Sequence, residues 1–127
     1  MYPMRLTRER FESLAFQVAE HILAELPPDL RAEAESVILE VVEAPTPEHA
    51  GEWGRGLLGL YEGVPLIHRH FNTTLLQPDR ITLFQNNLQA AARTEVELRA
   101  QIRKTLVHEL GHFFGFGEEE LHARGWG

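Results

Sequence analysis

The chain has 127 residues, a formal net charge of -7 with its histidines neutral, 43% hydrophobic and 24% charged residues, and no cysteine. That size suits one domain, spanning 1–127, with a core of its own, and two would each be too small to stand without staples. The acidic balance argues against a nucleic-acid partner, and the missing cysteines exclude thiolate metal sites, disulfides and cysteine nucleophiles.

Thr7 to Leu26 reads as an amphipathic helix, with Thr7 as its cap and Phe11, Leu14, Ala15, Val18, Ile22 and Leu23 at helical spacing. Pro27 and Pro28 stop it. Asp29 is expected to cap a short turn of helix through Ala34, and the β-branched run from Ser36 to Glu43 predicts a strand. Ala44 to Arg55, broken by Pro45, Pro47, Gly51 and Gly54, is expected to be an irregular loop. Leu57 to Tyr61 is a second strand candidate, closed by a turn at Glu62 and Gly63. Arg80 to Phe84 alternates polar and apolar residues, which predicts a third strand with one solvated face. Pro78 and Asp79 form a turn before it. The longest helix runs from Arg93 to Phe114, with Leu98, Ile102 and Leu106 four apart. Gly115 and Gly117 end it, and Glu118 to Ala123 can form one more turn. This order of elements predicts an α+β fold with a small sheet. Arg93, Arg99, Arg103 and Lys104 read as a solvated helix face rather than a phosphate-binding patch.

No apolar run is long enough to cross a bilayer, and the stretch MYPMRLTRERFESLA lacks the apolar core and cleavage site of a secretory signal. The expectation is a cytoplasmic protein with no membrane partner.

The chemistry concentrates in VHELGHFFGFGEEEL, residues 107–121. His108 and His112 stand four apart on a helix and can turn two imidazoles toward one ion. Glu109 lies about 100° around the helix from His108, beside the ion rather than on it. From there it can take a proton from a zinc-bound water that attacks a carbonyl. The motif thus supplies two ligands and a general base on one helical turn. A third ligand has to come from the short stretch that follows. Gly115 can end the helix in a conformation closed to other residues and return the chain toward the ion. Glu118 then stands where H-E-x-x-H-x-x-G-x-x-H places its last ligand, with Glu119, Glu120 and His122 as rivals.

These residues resemble the small bacterial zincin-like metallopeptidase domain, a minimal predicted zinc protease. The resemblance rests on His108-Glu-Leu-Gly-His-Phe-Phe-Gly115 with Glu118-Glu-Glu-Leu121, and on Leu57-Leu-Gly-Leu-Tyr-Glu-Gly-Val-Pro65. It implies a zincin-like α+β fold, in which a small mixed or antiparallel sheet packs against an N-terminal helix and a C-terminal active-site helix. It also implies bound Zn2+, with His108, His112 and Glu118 as metal ligands and Glu109 as catalytic base, acting on a peptide or protein substrate. Glu118 replaces the aspartate common at that place.

A rival reading is a non-catalytic zinc-binding or protein-interaction module with the same fold. A structural zinc has four protein ligands, whereas a catalytic one keeps a place for water. A metal-dependent endoribonuclease is less well matched, because Glu109 is present, the third histidine is missing and the charge is acidic. The Leu57 to Pro65 stretch reads as a buried strand rather than an open edge for substrate pairing. Tyr61, His68 and His70 are candidate oxyanion donors, with a surface role the simpler expectation for the histidines. Trp53 and Trp126 are expected to be packing residues.

Overall fold

The computed structural model describes residues 5–50, 55–66 and 78–123, apart from the side chains of Ala50, Glu118 and Leu121. His68, His70, Trp53 and Trp126 lie outside the described residues.

Helix α1 (Arg8–Glu25) begins as its sequence predicts, with the Thr7 side chain accepting from the Arg10 N–H at 3.1 Å. Helix α2 (Pro28–Ala34) starts two residues earlier than expected: Pro28 is its first residue and Asp29 sits in its first turn rather than capping it. Proline favours that position, because its fixed φ suits a helix and its missing N–H would have no partner there. Strand β1 (Ile38–Val42) follows. The expected loop after it holds a four-residue helix, α3 (Pro47–Ala50), also started by proline.

Strands β2 (Gly59–Glu62) and β3 (Arg80–Phe84) complete a sheet ordered β1-β3-β2. β3 runs parallel to β1 and antiparallel to β2, so the sheet is mixed and the fold is α+β. The expected solvated face of β3 is not there. β3 is the central strand, and Ile81, Thr82, Leu83 and Phe84 are all buried. Helix α4 (Gln85–Ala90) leaves directly from its end, anchored by buried Leu88.

Helix α5 (Glu95–Phe114) spans 20 residues. The Thr94 side chain accepts from the Glu97 N–H at 3.1 Å, and the Glu97 carboxylate accepts from the Arg93 N–H at 2.7 Å. These bonds satisfy N–H groups that no earlier turn can reach. The core gathers α1, the sheet and α5: Phe11, Leu14, Leu83, Leu98, Ile102 and Phe113 are each fully buried. Arginines tie α5 to α1, Arg99 to Gln17 and Arg103 to Glu25. The basic cluster on α5 is therefore partly a strap between helices. Helix α6 (Glu118–Ala123) closes the described chain. None of the described helices is long and apolar enough to cross a membrane.

Candidate metal centre

The last two turns of α5 carry the site. His108 and His112 are half-buried and their Nε2 atoms stand 3.1 Å apart, with the rings nearly perpendicular at 84°. Two imidazole nitrogens about 2.0–2.1 Å from one tetrahedral zinc would lie roughly 3.3 Å apart. The pair is thus already near the separation that a shared ion demands. One ligand atom from each of His108, Glu109 and His112 lies within 4.8 Å of the others. The group offers two imidazole nitrogens with a carboxylate beside them, a set that fits a metal ion in a protein without thiolates.

Glu109 is buried to 8% exposure, unusual for a carboxylate without a strong reason to be there. The reason is visible in β2. The Phe84 N–H donates to the Leu58 carbonyl at 3.0 Å, which fixes Leu58 and Phe84 as a hydrogen-bonded rung. In an antiparallel pair such rungs alternate, so Leu60 and Glu62 also face β3, while Gly59 and Tyr61 turn their main-chain groups away from it. The outward Tyr61 N–H donates to Glu109 Oε1 at 3.0 Å. A main-chain donor on a strand thus fixes the carboxylate beside the histidines.

That strand lies close to the helix. A Cβ placed on Gly59 would come within 2.6 Å of Thr105 Cγ2 and 3.2 Å of the Thr82 carbonyl, so α5 can approach β2 this closely only over a glycine. The Tyr61 ring meets Phe113 edge-on at 6.0 Å, and its hydroxyl donates to buried Asp79 at 2.6 Å. That bond commits the Tyr61 hydroxyl to a structural partner, which weakens its candidacy as an oxyanion donor.

At the end of α5, Gly115 adopts φ 89° and ψ 20°. Its N–H donates to the His112 carbonyl at 3.0 Å, and the Phe116 N–H donates back to Gly111 at 2.9 Å. This pair of bonds closes a helix around a left-handed residue. The reversal keeps Gly115, Phe116 and Gly117 beside His108 and His112 in one open cleft of about 670 Å3. Gly59, Leu60 and Pro65 line it opposite.

Of the residues singled out in the sequence, the structure brings together His108, Glu109 and His112. Glu119, Glu120 and His122 are exposed, and none joins the histidines in a metal-sized group among the described residues. Glu118 begins α6, but its side chain lies outside what is described. Sequence reasoning missed the Tyr61 N–H, which no local signal marks, since it lies 48 residues from its partner.

A search of curated proteins found no significant match. The family model described as zincin-like metallopeptidase matches residues 34–126, which takes in the whole sheet, α5 and the glycine turn after it. The chain therefore belongs to the zincin-like metallopeptidase family.

Proposed function

We propose that the protein is a zinc-dependent peptidase, with His108, His112 and Glu118 holding the ion and Glu109 as general base. The observation that carries this reading is the pair of Nε2 atoms 3.1 Å apart, with a buried carboxylate beside them and an open cleft in front. Bound zinc would supply Lewis acidity, lowering the pKa of water and polarising a carbonyl. Glu109 accepts the Tyr61 N–H through Oε1, which holds the carboxylate still and leaves Oε2 to work. Oε2 takes the proton of the attacking water as its oxygen bonds to the scissile carbon. The same carboxyl then gives that proton to the amine nitrogen as the C–N bond breaks.

An extended substrate suits the cleft. Against the expectation of a buried strand, β2 is half-buried and pairs with β3 alone among the described residues, and the main chain of Gly59 faces away from that pairing. A peptide strand laid along this edge would gain main-chain hydrogen bonds whatever its sequence. Glu118 is supported by its place three residues past Gly115, where the turn that ends α5 sends the chain onward. We place the protein in the cytoplasm, a reducing compartment that its cysteine-free composition fits.

Metal content and cleavage of a peptide mixture, measured on wild type and Glu109→Gln, test the reading. Gln keeps an acceptor for the Tyr61 N–H but cannot take a proton. The variant should hold zinc at wild-type stoichiometry and lose about 10²–10⁴ in kcat/KM. Failure of the wild type to take up stoichiometric zinc would sink the proposal. Stoichiometric zinc without hydrolysis would favour a non-catalytic binding module.

A further inference from the structure

We infer that the groove holds a subsite for an acidic substrate side chain, with Lys104 as its counter-charge; this rests on the peptidase reading of the same cleft. A second hollow of about 350 Å3 adjoins the first and shares Leu57, Gly59, His108 and Glu109 with it. Gln101 and Lys104 form its far wall. Lys104 stands four residues before His108, on the same face of α5 and one turn away.

Charge singles this lysine out. Along α1 and α5, Arg10, Arg99 and Arg103 are each ion-paired with a glutamate. No carboxylate pairs with Lys104 among the described residues, although the chain has 19 acidic residues against 12 basic. A lysine on a helix surface is ordinarily solvated and uninformative. This one lines the groove that contains the histidines, and no described carboxylate neutralises it there. Among the described residues, the other arm of the groove presents the side chains of Leu60, Pro65 and Phe116, which offer an acid no partner. The two arms therefore differ in what they can hold.

The spacing fixes where the acid would fall. Four residues of helix rise about 6 Å, and an extended peptide advances about 3.3 Å per residue. Lys104 would thus meet a side chain one or two residues from the scissile bond, on one side only. Gln101 can add an amide hydrogen bond to the same carboxylate.

The test uses fluorogenic peptides carrying Glu, Gln or Lys at each of the two positions on either side of the scissile bond. Zinc-loaded wild type should prefer Glu over Lys by about tenfold in kcat/KM at one position. Lys104→Glu should reverse that preference. Arg93→Glu makes the same charge change at the far end of α5, away from the groove, and should leave the preference intact. A preference that survives Lys104→Glu, or none at any position, overturns the inference. If nothing is cleaved, the same labelled peptides are titrated into the zinc-loaded Glu109→Gln protein and its Lys104→Glu double variant, read by anisotropy. Acid-selective binding that depends on Lys104 would then uphold the subsite while the peptidase reading falls. Binding without that selectivity, or no binding, overturns the subsite.

Discussion

The two faces of α5 have opposite jobs and are built in opposite ways. One face, with Leu98, Ile102, Leu106 and Phe113, is driven into the core against α1 and the sheet. Its side chains are large, apolar and interchangeable in kind, since area removed from water is what counts there. The other face, with Lys104, His108 and His112, looks along β2, where glycines and an outward-facing main chain replace bulk. Its partners are single atoms: the Tyr61 N–H for Glu109, one Nε2 for the other. The first face holds the helix in place, and the second uses that rigidity. A histidine pair can stay 3.1 Å apart without collapsing into the core because twenty residues of helix are already fixed from behind.

The comparison breaks most sharply at Leu98, fully buried and ten residues before His108. Leu98→Ala should cost about 3 kcal/mol of stability through lost burial and the cavity left behind. Zinc stoichiometry and kcat/KM of the molecules that remain folded should hardly move, because the cavity lies about 15 Å along the helix from the site. Urea unfolding and metal content measured on one preparation check this. A large loss of zinc affinity in the folded fraction would mean that the two faces are coupled.

Gly59→Ala reverses the pattern. The new methyl would meet Thr105 Cγ2 at 2.6 Å, so β2 and α5 must part or Thr105 must turn. Overpacking of this kind costs about 1–3 kcal/mol. Any widening carries the Tyr61 N–H away from Glu109, and a shift of about 1 Å at a catalytic group can lower kcat/KM roughly a hundredfold. Adding Thr105→Ser removes the opposing methyl and should restore much of the activity. An unimproved double variant would show that the clash with the Thr82 carbonyl, 3.2 Å away, is the one that matters.

What could be read from the sequence follows the same division. α1, α5, β1 and β3 announce themselves because apolar residues repeat over enough positions to define a face. α3 and α4 span four and six residues, too short for a period to show, and the QNNLQA of α4 looks like a polar connector until Leu88 is seen buried. The alternation of β3 predicts a wet face for Thr82, and it misleads because both faces of the strand are covered: Thr82 and Phe84 on one side and Ile81 and Leu83 on the other are all buried. In the site, His108, Glu109 and His112 were legible because one helical turn brings them together. The anchor of Glu109 was not, because it is a main-chain group on a strand whose register only the assembled sheet decides. Lys104 was visible only as one of four basic residues. Its separation from Arg99 and Arg103 depends on where α1 packs, since Gln17 and Glu25 of that helix take up the two arginines.

Gly115→Ala gives the smallest effect and the finest discrimination, because it acts where the two faces meet. At φ 89° a Cβ crowds the following carbonyl, a cost of about 1–2 kcal/mol if the turn is kept. The protein can avoid that cost by unwinding the turn, which gives up the hydrogen bonds from Gly115 to His112 and from Phe116 to Gly111. Those bonds do little for the core face, whose residues end at Phe114, so thermal stability should fall only slightly. The chain toward Glu118, however, would leave α5 in a new direction. If Glu118 is the third ligand, zinc should then bind about tenfold or more weakly, with His108 and His112 still in place. Gly115→Asn separates strain from geometry, since asparagine tolerates the left-handed conformation better than alanine. It should recover most of the affinity. Equal zinc affinity in wild type and Gly115→Ala would show that the turn does not aim a ligand. The third donor would then have to come from elsewhere in the chain.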